Sequence, residues 1–187
     1  GLLVYTSLLH ADTSPLPLAD EHKETEQLIR AAAIPFVILR NGWYTENYTG
    51  SLAASVGAGA MIGASGQGKI ASASRADYAE AIAVVALDAA HVGKVYELAG
   101  DDSYTLADLA GEVARQSGKP VAFINLPEAD YAKALEGFGL PAGFAATLAD
   151  SDASASRGAL FDDSRTLSRL IGRPTTPMAE TVKAALG

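Results

Sequence analysis

The sequence predicts an α/β fold built on parallel strands, and three observations carry that prediction. Short apolar runs at residues 2–6, 34–39, 94–99 and 121–125 read as strands. Stretches of helical periodicity lie between them. Strand and helix alternate along the chain, the pattern of a parallel sheet whose crossovers are helices.

Residues 2–6 (Leu-Leu-Val-Tyr-Thr) read as a buried strand, followed by a Ser/Pro/Asp-rich loop to residue 17. The next helix spans 20–33, with Asp20 as its cap, Glu21 and Glu24 where the helix dipole favours acids, and Ile29 and Ala32 on one face. Residues 34–39 complete a β-α-β unit, which predicts two parallel strands. The glycine-rich stretch 51–74 holds short apolar pieces at Ala60-Met61-Ile62 and Ile70-Ala71. Ser74 and Asp77 have the spacing of a capping box and open a helix to about Ala90; Thr105 and Asp108 open another to about Gln116. Beyond Glu128 the pattern is all helical, with Thr176-Pro177 capping the last helix and Pro at its first position.

Composition narrows the function. With 187 residues, 49% of them hydrophobic, the chain can bury a substantial core. Fourteen Lys and Arg against 22 Asp and Glu give a net charge of -8, and no basic block occurs, so a nucleic-acid phosphate backbone is repelled. The absence of cysteine excludes disulfides, thiolate metal sites and thiol catalysis, and fits a reducing, cytoplasmic compartment. No apolar stretch approaches the roughly 20 residues of a membrane helix. The N-terminal GLLVYTS has neither a basic region nor a cleavage site, so it is not a signal peptide. It begins in a strand-like run without an initiator Met.

Several apparent motifs fail on spacing. GAGAMIG (57–63) is one residue too long for a dinucleotide fingerprint and opens no helix, so it reads as a mobile or turn-rich loop. GASGQGK (63–69) is neither a phosphate-binding loop nor a serine-nucleophile elbow. His10, His22 and His91 lack metal-ligand spacing, and no metal is expected. Asp150, Asp152, Asp162 and Asp163 read as a solvated loop with helix caps. Two strand ends remain, VYTS (4–7) and LRNGWY (39–44), which both turn polar at once where parallel sheets collect ligands. Ser7 offers a hydroxyl, Asn41-Gly42 an amide and a close backbone approach, and Trp43 and Tyr44 flat faces for a ring. A plain strand-end turn with two core aromatics explains the same residues equally well.

The blocks YTSLLHADTS, LADEH, LRNGWYTENY, GKIASASRADYAEA, GKVYELAGD and LFDDSRTLSRLIGRPTT together resemble the atypical short-chain dehydrogenases. Within them the chain is most similar to the type 2 NAD(P)H:quinone oxidoreductases, relatives of the NmrA-like redox regulators. The resemblance implies the C-terminal part of a Rossmann-type parallel sheet with a smaller α/β substrate domain, and NADPH in the cleft between them. Residues 1–47 would be the remnant of the NAD(P)-binding domain and 48–187 mainly the substrate domain, with interleaving allowed. On matching positions, Tyr5, Thr6 and Ser7 look like the strand end beside the nicotinamide. Asn41, Gly42, Trp43, Tyr44, Thr45 and Glu46 look like the loop closing over the nicotinamide and its ribose. Trp43, Tyr44 and Tyr48 would line the quinone side. The resemblance leaves a homodimer open.

Two departures from the family pattern shape the expectation. The opening strand, Gly-rich turn and helix are not found, so the chain reads as the last two-thirds of such a protein, entering at the fifth strand. In the strand order 3-2-1-4-5-6, one edge of residues 2–5 should then carry unpaired backbone groups, and NADPH should bind poorly without its pyrophosphate donors. Second, ordinary short-chain dehydrogenases use Tyr-x-x-x-Lys; here the Lys position is His22 and the Tyr position Leu18, which cannot donate a proton. Reducing an isolated carbonyl needs such an acid, because it makes a strongly basic alkoxide. A quinone yields a delocalised, weakly basic hydroquinone anion, so direct hydride transfer suffices. His22 falls with Thr25, Ile29 and Ala32 on one helix face; a bond to the cofactor ribose and a structural role both remain open for this one candidate catalytic residue. An NADPH-dependent quinone reductase is the leading expectation, and a nicotinamide-sensing regulator without turnover the alternative.

Overall fold

The computed structural model describes residues 1–187. The first half runs β1 (Leu3–Leu8), α1 (Leu18–Ala31), β2 (Phe36–Asn41), α2 (Glu46–Thr49), α3 (Leu52–Ala58) and β3 (Ala60–Gly63). Next come α4 (Arg75–Leu87), a 3-10 turn at Ala89–His91, β4 (Val95–Leu98), α5 (Leu106–Ser117) and β5 (Ala122–Asn125). Four helices close the chain: α6 (Glu128–Gly137), α7 (Ala142–Ala155), α8 (Thr166–Ile171) and α9 (Met178–Leu186).

The strands form two parallel sheets, β1-β2-β4 and β3-β5. In the larger sheet β2 is central and buried on both faces, which is why it reads as an unbroken apolar run. Val37 and Leu39 pack with Tyr78, Ala81 and Val85 of α4 and Leu167 and Ile171 of α8. Arg40, on the opposite face, points to α1. A second core joins Leu52, Met61, Leu106, Leu109, Val113 and Val182 around the smaller sheet. β1 pairs on one side only and is an edge strand, with Leu3 38% exposed, as the strand-order argument expects. β4 returns from the second half of the chain to pair with β2, so the 1–47 and 48–187 segments share one sheet.

Local signals succeed where the cap is polar. Both capping boxes, Ser74 with Asp77 and Thr105 with Asp108, are formed in full. Five expectations are corrected. Helix α1 begins at Leu18, so Asp20 lies inside the first turn and caps nothing; the residue at the cap is Pro17, whose preset φ starts the turn without a side-chain bond. Ala32 is exposed at the end of α1, and the buried stripe is Ala19, Glu26 and Ile29. Pro177 sits at the cap of α9, one residue before the helix, while Thr176 bonds Asp77 through its amide (2.9 Å) and hydroxyl (3.1 Å). GAGAMIG is no loop: Gly59 ends α3 in the left-handed region and residues 60–63 form β3, paired with β5 about sixty residues away, a partner no local pattern reveals. The acidic run divides too: Asp150 and Asp152 belong to α7, and Asp152 is buried.

A buried segment, residues 70–74, joins the two cores, Ile70 packing in one and Ala73 in the other. Ile70 and Tyr104 exchange backbone bonds, Ala71 donates to Leu160, and Ala73 bonds Trp43 and Thr45. Gly100 donates to Ala71 at 2.9 Å, and a Cβ there would run into the Ser72 carbonyl oxygen. Gly100→Ala is therefore expected to lower stability by about 3 kcal/mol, through an overlap with backbone that no rotamer relieves. Urea denaturation checks this; an unchanged midpoint would show that the segment can shift.

Candidate active site

Parallel pairing brings the two polar strand ends together. Ser7 lies opposite Arg40 and Leu8 opposite Asn41 in the β1–β2 register, and the Leu9 amide donates to the Asn41 carbonyl at 2.9 Å. The Gly42 amide donates to the Leu98 carbonyl at 2.7 Å, so the end of β4 stands at the same level. A Cβ on Gly42 would lie 3.0 Å from that Leu98 oxygen and 3.1 Å from the Tyr78 hydroxyl. Glycine at 42 thus lets the chain turn tightly against β4.

Beneath these ends sits an ion cluster. Arg40 forks onto Glu26 of α1, Nε to Oε1 at 2.9 Å and a terminal nitrogen to Oε2 at 2.8 Å. Its other terminal nitrogen reaches Asp12 and Glu97, both at 2.8 Å. Ser7 donates its hydroxyl to Glu26 at 2.6 Å, and Glu97 accepts from the His10 amide at 2.8 Å. Burial alone would raise the Glu26 carboxyl, but hydrogen bonds from Arg40 and Ser7 and the charge of Arg40 hold it below the usual carboxylate range. The Glu26 bonds in turn push the Arg40 guanidinium up, so the cluster stays ionised.

One turn before Glu26, the His22 Nδ1 lies 2.7 Å from the Tyr5 hydroxyl. Burial lowers the imidazole from its ordinary value, against the pull of Glu26 and Glu21. A cleft of about 430 Å³ opens nearby, lined by Pro17, Leu18 and Glu21 of the α1 start and by Glu128, Thr147 and Asp150 among others.

The aromatics divide between the two cores. Tyr44 packs on the larger sheet, edge-on to Tyr78 at 5.3 Å, with the Arg75 guanidinium 4.2 Å above its ring. Trp43 and Tyr48 pack against the core of the smaller sheet. Tyr48 donates to Asp152 at 3.3 Å; burial raises the Tyr48 phenol and also the Asp152 carboxyl, which further accepts from the Ala64 amide. Thr45 bonds Ser72 at 2.7 Å, and Glu46 accepts from the Arg75 amide at 2.9 and 3.1 Å. Strand-end geometry therefore unites Tyr5, Thr6 and Ser7 with Asn41 and Gly42, while the next residues diverge: Trp43 joins the second core, Tyr44 stays on the first, and Thr45 and Glu46 bond Ser72 and the Arg75 amide. Asn41 Oδ1 and Trp43 Nε1 are buried without partners, an acceptor and a donor left open at the end of β2. No group of three or more His, Asp or Glu is placed to hold a metal ion.

No family model matches the chain. It is 61% identical over 180 residues, 96% of its length, to quinone oxidoreductase 2 of Escherichia coli. A crystal structure of an NADPH-dependent quinone oxidoreductase from Escherichia coli superposes on the whole chain with a TM-score of 0.97 and 59% identity, and 68% of that structure is covered. The chain belongs to the type 2 quinone oxidoreductase family. A Citrobacter triphenylmethane reductase, solved with NADP(H), matches 99% of the chain at 35% identity and TM-score 0.93, over 65% of its own length. The chain spans 63% of the length of the curated Escherichia coli relative. This family membership and its Rossmann-like α/β fold agree with the resemblance read from the sequence blocks.

Sequence reasoning missed the Arg40 cluster and Asp152. The signal for the first was present: an arginine closing an otherwise apolar strand, and Glu26 four residues after His22 on the inner stripe of α1. Arg40→Met, which leaves the buried Glu26 with only its longer ion pair to Arg30 at 3.5 Å, is expected to cost about 3 kcal/mol in a denaturation experiment. The pH dependence has a definite sign. His22 is lowered from 6.5, so its protonation favours the unfolded chain and stability declines as pH falls below that value. Glu26 and Asp12 are also lowered, from 4.5 and 3.8; their contribution is complete above those values and lost as pH falls through the lowered ones. Asp152, raised by burial, works in the opposite sense, but the lowered groups outnumber it, so denaturation at a series of pH values should show a net loss of stability, most steeply in the lower part of this range; a net rise on acidification would contradict the assignment.

Proposed function

We propose that this chain carries the nicotinamide-facing strand ends and the substrate side of an NADPH-dependent quinone reductase. The observation that carries the reading is the 61% identity to quinone oxidoreductase 2, spread over 96% of the chain. The unpartnered Asn41 Oδ1 supports it, because a ligand amide or hydroxyl arriving at the end of β2 would satisfy that buried acceptor.

In this reading Tyr5, Thr6, Ser7 and the segment Asn41 to Glu46 hold the nicotinamide end of NADPH, and Trp43, Tyr44 and Tyr48 flank the quinone side. Residues 1–47 with β4 form the cofactor side, and the remainder of 48–187 the substrate side. When bound, NADPH supplies a hydride to the quinone ring. The chain's task is orientation: β1 and β2 end level with one another, and the ionised Arg40 cluster fixes their spacing. No acid is required at Leu18, because the hydroquinone anion takes its proton from water. The reading includes a cytoplasmic enzyme, and no helix of the chain is long and apolar enough to cross a membrane.

Incubating the chain with NADPH and a simple benzoquinone tests the proposal. Because NADPH is expected to bind this chain weakly, cofactor oxidation above the uncatalysed rate is expected only at high NADPH, and its absence at saturating NADPH would overturn the reading for this chain. Trp43→Ala should raise the quinone KM by about tenfold, the scale of one lost aromatic contact, with a smaller effect on NADPH affinity. Equal losses in both would assign Trp43 to the core alone.

A further inference from the structure

Resting on the reading above, we infer that Tyr5 is a positioning residue, which fixes the tautomer of His22 so that Nε2–H is offered to an uncharged ligand oxygen. Three features of the structure support this. The Tyr5 hydroxyl and His22 Nδ1 lie 2.7 Å apart, and neither group bonds any other side chain. His22 Nε2, in contrast, has no partner in the protein, yet it is not among the buried unpaired atoms, so it opens to solvent. The position of the imidazole gives the direction. Leu18 and His22 are four residues apart and stack on one face of α1, and Leu18 lines the 430 Å³ cleft.

The proton inventory follows from burial. With its ordinary value lowered by desolvation, His22 is neutral at neutral pH and carries one proton. A phenol is a better donor than acceptor, and an unprotonated ring nitrogen a good acceptor, so the inferred direction runs from the Tyr5 hydroxyl to Nδ1, which leaves the imidazole proton on Nε2. The helix is held firmly at this height, because Glu26, one turn on, is locked by Ser7 and Arg40. The cleft also carries the carboxylates of Glu21, Glu128 and Asp150. His22 stands next to this lining, one residue after Glu21 and one turn after Leu18, and a neutral N–H donor beside those carboxylates favours a neutral acceptor: a hydroxyl of the cofactor ribose or a carbonyl of the quinone. Tyr5 touches neither and acts through His22.

Nitrogen-15 NMR of the His22 ring in the chain reads the tautomer directly. The wild type should show Nε2–H with an unprotonated Nδ1, and Tyr5→Phe should show a mixture of both tautomers on an otherwise unchanged amide spectrum. An Nδ1–H wild type, or a Tyr5→Phe protein with the same tautomer, overturns the inference. Adding oxidised NADP alone and benzoquinone alone separates the two sources of the acceptor: the ligand whose oxygen is bound shifts Nε2. Binding of both ligands with Nε2 unmoved, or of neither, also overturns it. His22→Gln, whose amide nitrogen reaches the Nε2 position, should keep ligand affinity, whereas His22→Ala should weaken it about fivefold, one hydrogen bond's worth. Equal affinities in those two variants overturn the donor role. These outcomes are independent of turnover: the tautomer and ligand shift with no NADPH oxidation would uphold the pair and overturn the reductase reading, and turnover with an unmoved Nε2 would do the reverse.

Discussion

The fork from Arg40 to Glu26 is the contact on which the arrangement of strand ends depends. One guanidinium at the end of the central strand holds the helix below it, the loop after β1 through Asp12, and the neighbouring strand through Glu97. A buried arginine with one carboxylate would gain little over an apolar pair, since desolvation offsets most of the attraction. With three carboxylates and the Ser7 hydroxyl the lone pairs and protons are matched. The gain is a defined geometry: β1, β2 and α1 cannot slide past one another without breaking several charged bonds together. Ser7 and His22, which bracket this cluster, inherit its precision.

The chemistry assigned to the family follows from what such a scaffold can and cannot supply. Leu18 offers no proton where related dehydrogenases place a tyrosine. At the strand ends Arg40, Glu26 and Glu97 are ion-paired, and Ser7 and Tyr5 are hydrogen-bonded. In the proposed reading, a site of this kind stabilises little new charge and suits a substrate that disperses charge into its own ring. Rigid alignment of two flat partners is, in that reading, the principal contribution of the chain.

Much of this was legible in the sequence. The alternation of strands and helices, both capping boxes and the adjacency of the two polar strand ends rest on short-range patterns, and the structure contains them. Family membership was legible in the blocks around LRNGWYTENY. The failures share a physical cause. β3 was read as a loop because its four residues gain strand geometry only from β5, and Asp152 was read as solvated because the groups that bury it come from α2 and the end of β3. The Arg40 cluster likewise unites residues 12, 26, 40 and 97. Such partners are set by tertiary packing, and composition gives no hint of which charges will meet. The site residues beyond the strand ends are of the same type: Trp43, Tyr44 and Tyr48 are neighbours in sequence but pack into two different cores.

The segment at residues 70–74 gives the molecule its mechanical character. It bonds the loop after β2 on one side and Tyr104 and Leu160 on the other, and it is almost wholly shut off from water. Its backbone partners outside helix α4 are Trp43, Thr45, Gly100, Tyr104 and Leu160, all distant in sequence, so the segment is ordered only when separate parts of the chain have met. Folding must therefore close contacts far apart in sequence before either half becomes stable, which slows the search for the native state. Once assembled, the distant pieces it ties together should come apart as one cooperative unit, since none keeps its bonds to the segment alone.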